Sequence, residues 1–279
     1  MTENTVNNDY CRDVVARFDH DRHLITLYAP QDKRGALCAL YAFNYEISRI
    51  RESVSDPMLG EIRLQWWHEA IDDIYDGKVR KHDVMTPFAS AISLYQLPKD
   101  RVMDVLDGRR QDLYDDRPEN MVALGDYLSL TAGSLTCLAV RIAGQRDIDD
   151  LAHMLGIAWG YVGIIRAIPY HLSLKKSYMP QDLMKKHGAD KFLNPDSSGA
   201  FQPIIKAVCR EAEQKLEHIA QEKQRINVDS RPIFLLSSLC RSYLKTIRKS
   251  DYNPFKLEEK AEAFSRQWHL LTAALFNRI

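Results

Sequence analysis

The sequence predicts an all-α protein, and two observations carry that prediction. Apolar residues recur at steps of three and four along most of the chain, the spacing that places side chains on one face of an α-helix. No segment shows the strict apolar and polar alternation of a half-buried β-strand. A chain of 279 residues, 45% of them hydrophobic, is long enough to bury a substantial core as one large domain or two small ones.

The clearest helical stretch runs from Leu37 to Gly77 and is predicted to form two helices joined by a short turn. The apolar positions of the first helix are Leu40, Phe43, Ile47, Ile50 and Val54. Those of the second helix are Ile62, Trp66, Trp67, Ile71 and Ile74. In the turn Ser55-Asp56-Pro57, Ser55 or Asp56 can cap the second helix and the proline suits its first position, and Gly77 is expected to end that helix.

Further helices are predicted on both sides of this stretch. They lie within residues 9–30, 84–98, 204–225 and 232–249. The C-terminal segment carries a separate apolar face made of Phe264, Trp268, Leu271 and Leu275. This face is typical of a closing helix that packs on the core, and contact with a membrane interface is the alternative.

Charge and cysteine content bound the class of function. Lys and Arg together number 38, as do Asp and Glu, so no overall field favours nucleic acid or an anionic membrane. The five scattered cysteines indicate buried thiols in a reducing compartment, not a zinc or disulfide framework. The polar start is unlike a targeting peptide, and the longest weakly charged run, Leu155–Ile165, is shorter than the roughly 18 residues that a membrane span requires. We therefore expect a cytoplasmic protein whose contact with a membrane is at most peripheral.

Two polar clusters have the composition of a metal site. The segment Asp72–Asp76 reads Asp-Asp-x-x-Asp, but it stands at a predicted helix C-terminus beside Lys78 and Arg80, where solvated ion pairs are the expected arrangement. The segment His20–His23 has no further His or Cys at ligand spacing nearby, so it is interpreted as a polar helix terminus.

Several short motifs carry a family resemblance. They are Tyr41-Ala42-Phe43, Arg63-Leu64-Gln65-Trp66-Trp67, Asp107-Gly108, Asp112-Leu113, Tyr127, Ala132-Gly133 and Tyr178-Met179-Pro180. In order and spacing they resemble the squalene and phytoene synthases, which join two prenyl diphosphates head to head. The resemblance covers nearly the whole chain. It implies a single domain, residues 1–279, folded as an isoprenoid-synthase-like helical bundle around a central cavity.

In that family two Asp-rich helical motifs hold Mg²⁺ ions whose remaining ligands are diphosphate oxygens. On this sequence the first motif falls on Ser48, Arg49 and Glu52, and the second on Ala167 and His171, with Arg166 kept. Of the four acidic positions, 48, 52, 167 and 171, only Glu52 keeps a carboxylate, and Pro169 is expected to kink the helix there. Since Mg²⁺ requires several oxygen ligands, we predict a non-catalytic member of the family with no metal and no cofactor.

A narrower resemblance is to the non-catalytic branch that contains a mitochondrial complex I assembly factor and its bacterial relatives. It rests on Ala42-Phe43-Asn44, Ser53-Val54-Ser55, Gln65-Trp66-Trp67 with Asp73-Ile74-Tyr75, and the segment Arg166–His171. It implies a role in maturing the NADH:quinone oxidoreductase, through contacts with complex I subunits or other assembly factors at the inner membrane.

Two alternatives from other classes stay open. One is an active Mg²⁺-dependent prenyl transferase acting on farnesyl or geranylgeranyl diphosphate, with displaced acids drawn from Glu52, Asp112 and Asp72–Asp76. The other is a metal-free protein whose inherited cavity binds a lipid, an isoprenoid or an anion, since arginine forks suit phosphate and carboxylate. The candidate ligand-binding residues are Tyr41, Arg49, Glu52, Asp112, Tyr127, Arg166 and His171. The arginines among them have a structural alternative to ligand binding, in which they form ion pairs with Glu46 and Glu52.

Overall fold

The computed structural model describes residues 3–114, 116–189, 198–257 and 263–276. Over those ranges it contains helices and no strand, which confirms the all-α prediction. The α-helices are α1 (Glu3–Phe18), α2 (His20–Tyr28), α3 (Gln31–Ser48), α4 (Pro57–Tyr75), α5 (Met85–Tyr95), α6 (Lys99–Arg110), α7 (Met121–Leu128), α8 (Ser134–Ala143), α9 (Asp149–Arg166), α10 (Ile168–Ser173), α11 (Gln181–Lys186), α12 (Ser198–Gln221), α13 (Arg231–Lys249) and α14 (Ala263–Phe276). A π-helical segment, Ser129–Gly133, separates α7 from α8.

The chain divides into two compact units. The first unit comprises Met1–Tyr114, Leu130–His153 and Arg225–Ile233, and the second comprises Asp115–Ser129, Met154–Gln224 and Phe234–Ile279. The single domain that the sequence predicts, residues 1–279 around a central cavity, stays a prediction.

The first unit is built around α3. Its residues Leu37–Asn44 are all buried, because α3 packs against α1, α2, α5, α6 and α8 and has almost no side open to water. Phe43 anchors this core: its ring stacks on Phe88 at 4.4 Å between centroids and meets Trp67 edge-on at 5.5 Å. The small residue Gly133 also has a packing role, because a Cβ there would lie 2.6 Å from Cδ2 of His153.

Helix α3 is shorter than the sequence predicted. It was expected to run to Val54, but it ends at Ser48 and is followed by a 3₁₀ turn over Arg51–Ser53. The hydroxyl of Ser48 donates to the carbonyl of Tyr45 and that of Ser53 donates to the carbonyl of Ile50, each three residues back. Local side-chain bonds of this kind compete with the α-helical ladder, which accounts for the early end.

Helix α4 begins and ends as predicted, but one of its predicted core positions is exposed. The Asp56 carboxylate accepts the backbone N–H of Met58 at 2.7 Å, Pro57 occupies the first turn, and Gly77 has φ +82° just after the last turn. The prediction that Ile62 faces the core is wrong, since it is 61% exposed. The core is instead contacted by Leu64, Trp67, Ala70, Ile71 and Ile74.

The second unit packs α9, α12 and α13 together. Trp159 of α9 lies 6.1 Å from the ring of Tyr243 of α13, and Arg241 of α13 donates to the carbonyl of Leu216 of α12 at 2.8 Å. The apolar stripe of α12 is buried, namely Ile205, Val208, Ala212, Leu216 and Ile219. The helix begins at Ser198, earlier than predicted, and takes Pro203 into its first turns.

The C-terminal helix α14 does not bury the face that the sequence predicted. Trp268 is 59% exposed and Leu271 is also exposed, whereas Leu270 and Ala273 are buried. The side chains of Phe264 and Leu275 lie outside the described residues. The buried positions are thus shifted around the helix from the predicted face.

One apolar stretch was missed by the sequence reading. Within the described chain, Met121–Ala143 is long and apolar enough to cross a membrane by length and composition alone, with mean hydropathy 1.3. It exceeds Leu155–Ile165, which was expected to be the longest such run. Since 56% of its most apolar window is buried inside the protein, it has the character of a core helix.

Candidate functional site

The first motif lies at the point where α3 ends, and all three of its residues have partners nearby. The guanidinium of Arg49 donates to the hydroxyl of Tyr45 at 2.6 Å and lies 3.6 Å from the carboxylate of Glu52. The Ser48 hydroxyl is already bonded to the Tyr45 carbonyl. Since α3 stops at Ser48, Glu52 stands in the 3₁₀ turn and not on the same helix as Ser48.

Arg49 also packs on two aromatic rings. Its guanidinium carbon lies 5.4 Å from the ring centroid of Tyr45 and 6.0 Å from that of Phe18, and these two rings stack at 4.4 Å. A cation over a ring face is attracted by the ring quadrupole. The hydrogen bond with Tyr45 raises the pKa of Arg49, so this position is a fixed positive charge.

Tyr41 is the most deeply buried of the candidate ligand-binding residues. It is 1% exposed, its hydroxyl has no hydrogen-bond partner within the described ranges, and burial raises its pKa. Arg22, itself buried, lies 5.4 Å from the Tyr41 ring and forms an ion pair with Asp19 at 2.7 Å. Sequence reasoning passed over Arg22, although a charged residue in a segment otherwise judged to be a polar helix end was a usable signal.

Asp112 is buried in an ion pair of the first unit. Its carboxylate lies 3.1 Å from the guanidinium of Arg109, which also donates to the Asn44 side chain at 3.4 Å. Both partners are shielded from water, with side chains 8% and 19% exposed. Removal of one member of such a pair strands a buried charge, so this arrangement gives Asp112 a structural role.

The predicted metal-like string at the end of α4 forms surface ion pairs. Asp73 binds Arg80 at 2.7 Å, as expected, whereas Asp72 binds Lys99 at 2.8 Å. Asp76 is the exposed C-cap residue. Among the described residues no group of three or more His, Cys, Asp and Glu side chains could hold a metal ion.

The second motif lies in the second unit, where the helix is broken as predicted. Helix α9 ends at Arg166, Ala167 forms the junction, and α10 follows with Pro169 in its first turn. The guanidinium of Arg166 lies 3.8 Å from the ring centroid of Tyr243. Such close stacking is a strong form of the cation–π contact.

A second cluster in this unit joins two of the predicted site residues through a third residue. The Tyr178 ring lies 5.5 Å from that of Tyr127 and 4.7 Å from that of His171. Tyr178 was not predicted from the sequence as a site residue, although an aromatic residue within the motif Tyr178-Met179-Pro180 was a signal for one. Tyr41, Arg49, Glu52 and Asp112 belong to the first unit, and Tyr127, Arg166 and His171 to the second.

These helices define an all-α protein of the isoprenoid synthase type. The solved structure of a dehydrosqualene synthase in complex with a ligand matches with a TM-score of 0.87 at 20% identity, over 99% of this chain and 98% of that one. At that identity the likeness establishes the fold.

Sequence comparison then gives the family. Residues 15–271 match the squalene/phytoene synthase family, and the chain belongs to it. The Bos taurus protein NADH dehydrogenase (ubiquinone) complex I, assembly factor 6, is 31% identical over 250 residues, which is 88% of this chain and 75% of the relative. The Homo sapiens protein of the same name is 30% identical over the same shares of the two chains. Both resemblances found in the sequence are thereby confirmed.

Proposed function

We propose that this protein acts in the assembly or maturation of respiratory complex I and does not catalyse prenyl transfer. The observation that carries the proposal is the 31% identity to a complex I assembly factor over 88% of the chain. The partners are then complex I subunits or other assembly factors. The protein works in the cytoplasm or peripherally at the inner membrane, where such subunits are found.

The donor set at the inherited motifs supports the absence of catalysis. Mg²⁺ needs oxygen ligands in near-octahedral geometry, and it must neutralise a diphosphate leaving group before the allylic bond ionises. Glu52 already pairs with Arg49, the Ser48 hydroxyl is bonded to a carbonyl, and Ala167 offers no ligand at all. These residues do not fit a magnesium cluster, and no cofactor is assigned.

The first experiment is deletion of the gene in cells that make the protein, followed by measurement of NADH:quinone reductase activity and of fully assembled complex. We expect both to fall and to recover when the gene is returned. Unchanged activity with intact complex would count against the assembly role.

A second experiment separates the assembly role from enzymatic activity. The purified protein is incubated with farnesyl or geranylgeranyl diphosphate and Mg²⁺, and released pyrophosphate is measured against a heat-killed control. We expect no release above the control. Turnover that disappears in Glu52→Gln would establish the prenyl transferase alternative instead.

Metal-free ligand binding is the second candidate, and one observation favours it. The Tyr41 hydroxyl is buried and has no hydrogen-bond partner within the described ranges, a state that costs free energy unless a ligand or a water supplies the partner. A lipid or isoprenoid that co-purifies with the protein and is lost in Tyr41→Phe would support this function. The two functions are compatible, since an assembly protein can hold a ligand.

A further inference from the structure

A groove of about 450 Å³ opens on the first unit, and of the three residues of the first inherited motif only Arg49 lines it. Tyr45, Arg49 and Ser53 line one side of it, at the end of α3 and in the 3₁₀ turn. Arg63 and Trp66 of α4 line the other side, and His82, which precedes α5, closes one end. Ser48 and Glu52, the motif positions that correspond to the family's acids, are not part of its lining.

One wall of the groove is an aromatic cluster centred on Trp66, which is packed against neighbouring side chains. Trp66 meets Trp67 edge-on at 5.2 Å and His82 at 5.7 Å between ring centroids. The guanidinium carbon of Arg80 lies 5.6 Å from the centroid of the Trp66 ring, and an ion pair with Asp73 holds the Arg80 side chain in place. Because these neighbours hold its ring in place, Trp66 presents a rigid apolar surface at little cost in conformational entropy.

His82 contributes a hydrogen-bond donor to the same groove. Its Nδ1 accepts the backbone N–H of Val84 at 3.1 Å and that of Met85 at 3.4 Å. When the imidazole is neutral, its proton must therefore reside on Nε2. A hydrogen-bond acceptor placed against this ring would therefore meet the Nε2–H group, since the bonds to Nδ1 fix the tautomer.

Two arginines give the groove its charge. Arg63 is exposed, its guanidinium donates to the Ser53 hydroxyl at 2.6 Å, and it makes no ion pair with any described residue. Arg49 is held by the Tyr45 hydroxyl and lies 3.6 Å from Glu52. Glu46 is the one carboxylate in the lining and Glu52 lies beside Arg49, so the positive charge open to a ligand rests mainly on Arg63, with Arg49 as a second donor. Guanidiniums oriented in this way suit a carboxylate, which they bind through paired N–H donors.

An apolar stripe continues from the groove along α4. Met58 is 71% exposed, Leu59 and Ile62 are exposed as well, and the steps from Met58 to Ile62 to Trp66 are four residues each, which keeps them on one helix face. Exposed Met and Leu beside Trp, Tyr and Arg is the composition of protein interfaces, and Trp, Tyr and Arg are the residues that dominate binding energy there.

We propose that this groove and stripe form the docking site for a segment of a partner protein that carries a carboxylate next to an apolar or aromatic side chain. The carboxylate binds Arg49 and Arg63, and its neighbour packs on Trp66. A membrane surface is the less fitting occupant, because both arginines are pre-oriented by hydroxyl groups and the chain as a whole has no net positive charge to attract anionic lipid. The site rests on the proposed assembly role and names the surface through which that role is exercised.

The test is photo-crosslinking in cells that make the full chain. A photoreactive benzoylphenylalanine replaces Ile62, and a matched probe replaces Leu94, which is 73% exposed and belongs to the same unit. Mass spectrometry then identifies the crosslinked peptide. We expect the Ile62 probe, and not the Leu94 probe, to capture a segment of a complex I subunit or assembly protein with Asp or Glu beside an apolar residue.

Charge variants show whether the arginines do the binding. Arg49→Glu combined with Arg63→Glu should lower the crosslink yield about tenfold or more, and lysine at both positions should lower it less, because the charge remains while the paired donors are lost. The matched control is Lys185→Glu with Lys223→Glu, two exposed lysines of the other unit, which should leave the yield unchanged. Circular dichroism and thermal unfolding check that each variant is folded.

The failures of the two proposals are distinguishable. The docking site is overturned if the Ile62 probe captures nothing, only lipid, or a segment without an acid, or if the double arginine variant crosslinks as well as the wild type. It is also overturned if gene deletion lowers complex I activity and the double arginine variant restores it fully. If deletion itself has no effect, the assembly role is what fails.

Discussion

Gln145 ties the returning segment 225–233 to the first unit, and its loss should loosen that segment. It is 6% exposed, its Nε2 donates to the carbonyl of Arg225 at 2.7 Å, and its Oε1 accepts both the backbone N–H of Asn227 at 3.0 Å and the hydroxyl of Ser230 at 2.6 Å. Gln145→Leu keeps the bulk of the side chain and removes all three bonds. At about 1 kcal/mol per hydrogen bond, with a further penalty for a buried group left unpaired, the cost is about 2–4 kcal/mol.

The free-energy cost of Gln145→Leu depends on whether each group that loses its hydrogen bond to Gln145 can find another partner. Ser230 is fully buried but can turn toward the carbonyl of Asn227 at 3.3 Å, and Arg225 and Asn227 lie at exposed positions where water can reach the backbone. Both effects favour the lower half of the range.

Hydrogen exchange is the assay of choice, since a local measurement does not require the two units to unfold together. Protection of the Asn227 and Ser230 amides should fall by about thirtyfold or more, which corresponds to 2 kcal/mol at 1.4 kcal/mol per tenfold change. The control is Gln111→Leu, at an exposed position, where a change within about 0.5 kcal/mol is expected. Equal protection in the two variants would refute the network account.

Two further predictions concern groups that the protein buries. Tyr41→Phe should leave thermal stability unchanged or raise it by about 1 kcal/mol, because it removes a buried hydroxyl that lacks a partner within the described ranges; a clear loss would show that something bonds to it. Burial raises the pKa of Cys11 to about 12 and that of Cys38 to about 11, so a thiol reagent at pH 8 should label native protein slowly and urea-unfolded protein at once. Above the ordinary thiol pKa the unfolded state loses these protons first, so stability should fall as the pH rises further, and rapid labelling of native protein would contradict the burial.

The sequence predicted the helices and their local caps well, and predicted poorly the features that depend on side-chain orientation or on neighbouring helices. The caps at Asp56 and Gly77 and the break at Pro169 are local, since each depends on residues a few positions away, and all three are confirmed. The early end of α3 depends on whether a serine hydroxyl turns back to a carbonyl, which periodicity does not report. The exposure of Ile62 depends on which helices pack against α4, and one helix read alone shows only that its face is apolar.

For the candidate site, too, the sequence located residues but did not predict their contacts. Resemblance to the family located Tyr41, Arg49 and Arg166 as residues of interest, because motifs are read along the chain. It could not show that the Arg49 guanidinium donates to the Tyr45 hydroxyl, since helical spacing brings the two side chains close but does not fix which group Arg49 bonds. Tyr178 and Arg22 were missed as site residues for a related reason, as their partners are remote in sequence or hidden in a segment that looked like a polar helix end.

Arg49 links the two proposals through one substitution. Within the first inherited motif, arginine at position 49 supplies no metal ligand and places a positive charge beside the one carboxylate that remains there, Glu52. The same side chain lies against Tyr45, one helical turn earlier, and lines the groove beside Trp66. Arg49→Asp should therefore weaken partner capture without restoring prenyl transfer, since position 48 remains a serine and position 167 an alanine. The pyrophosphate and crosslinking assays separate these effects, and recovery of turnover with intact capture would contradict both roles assigned to Arg49.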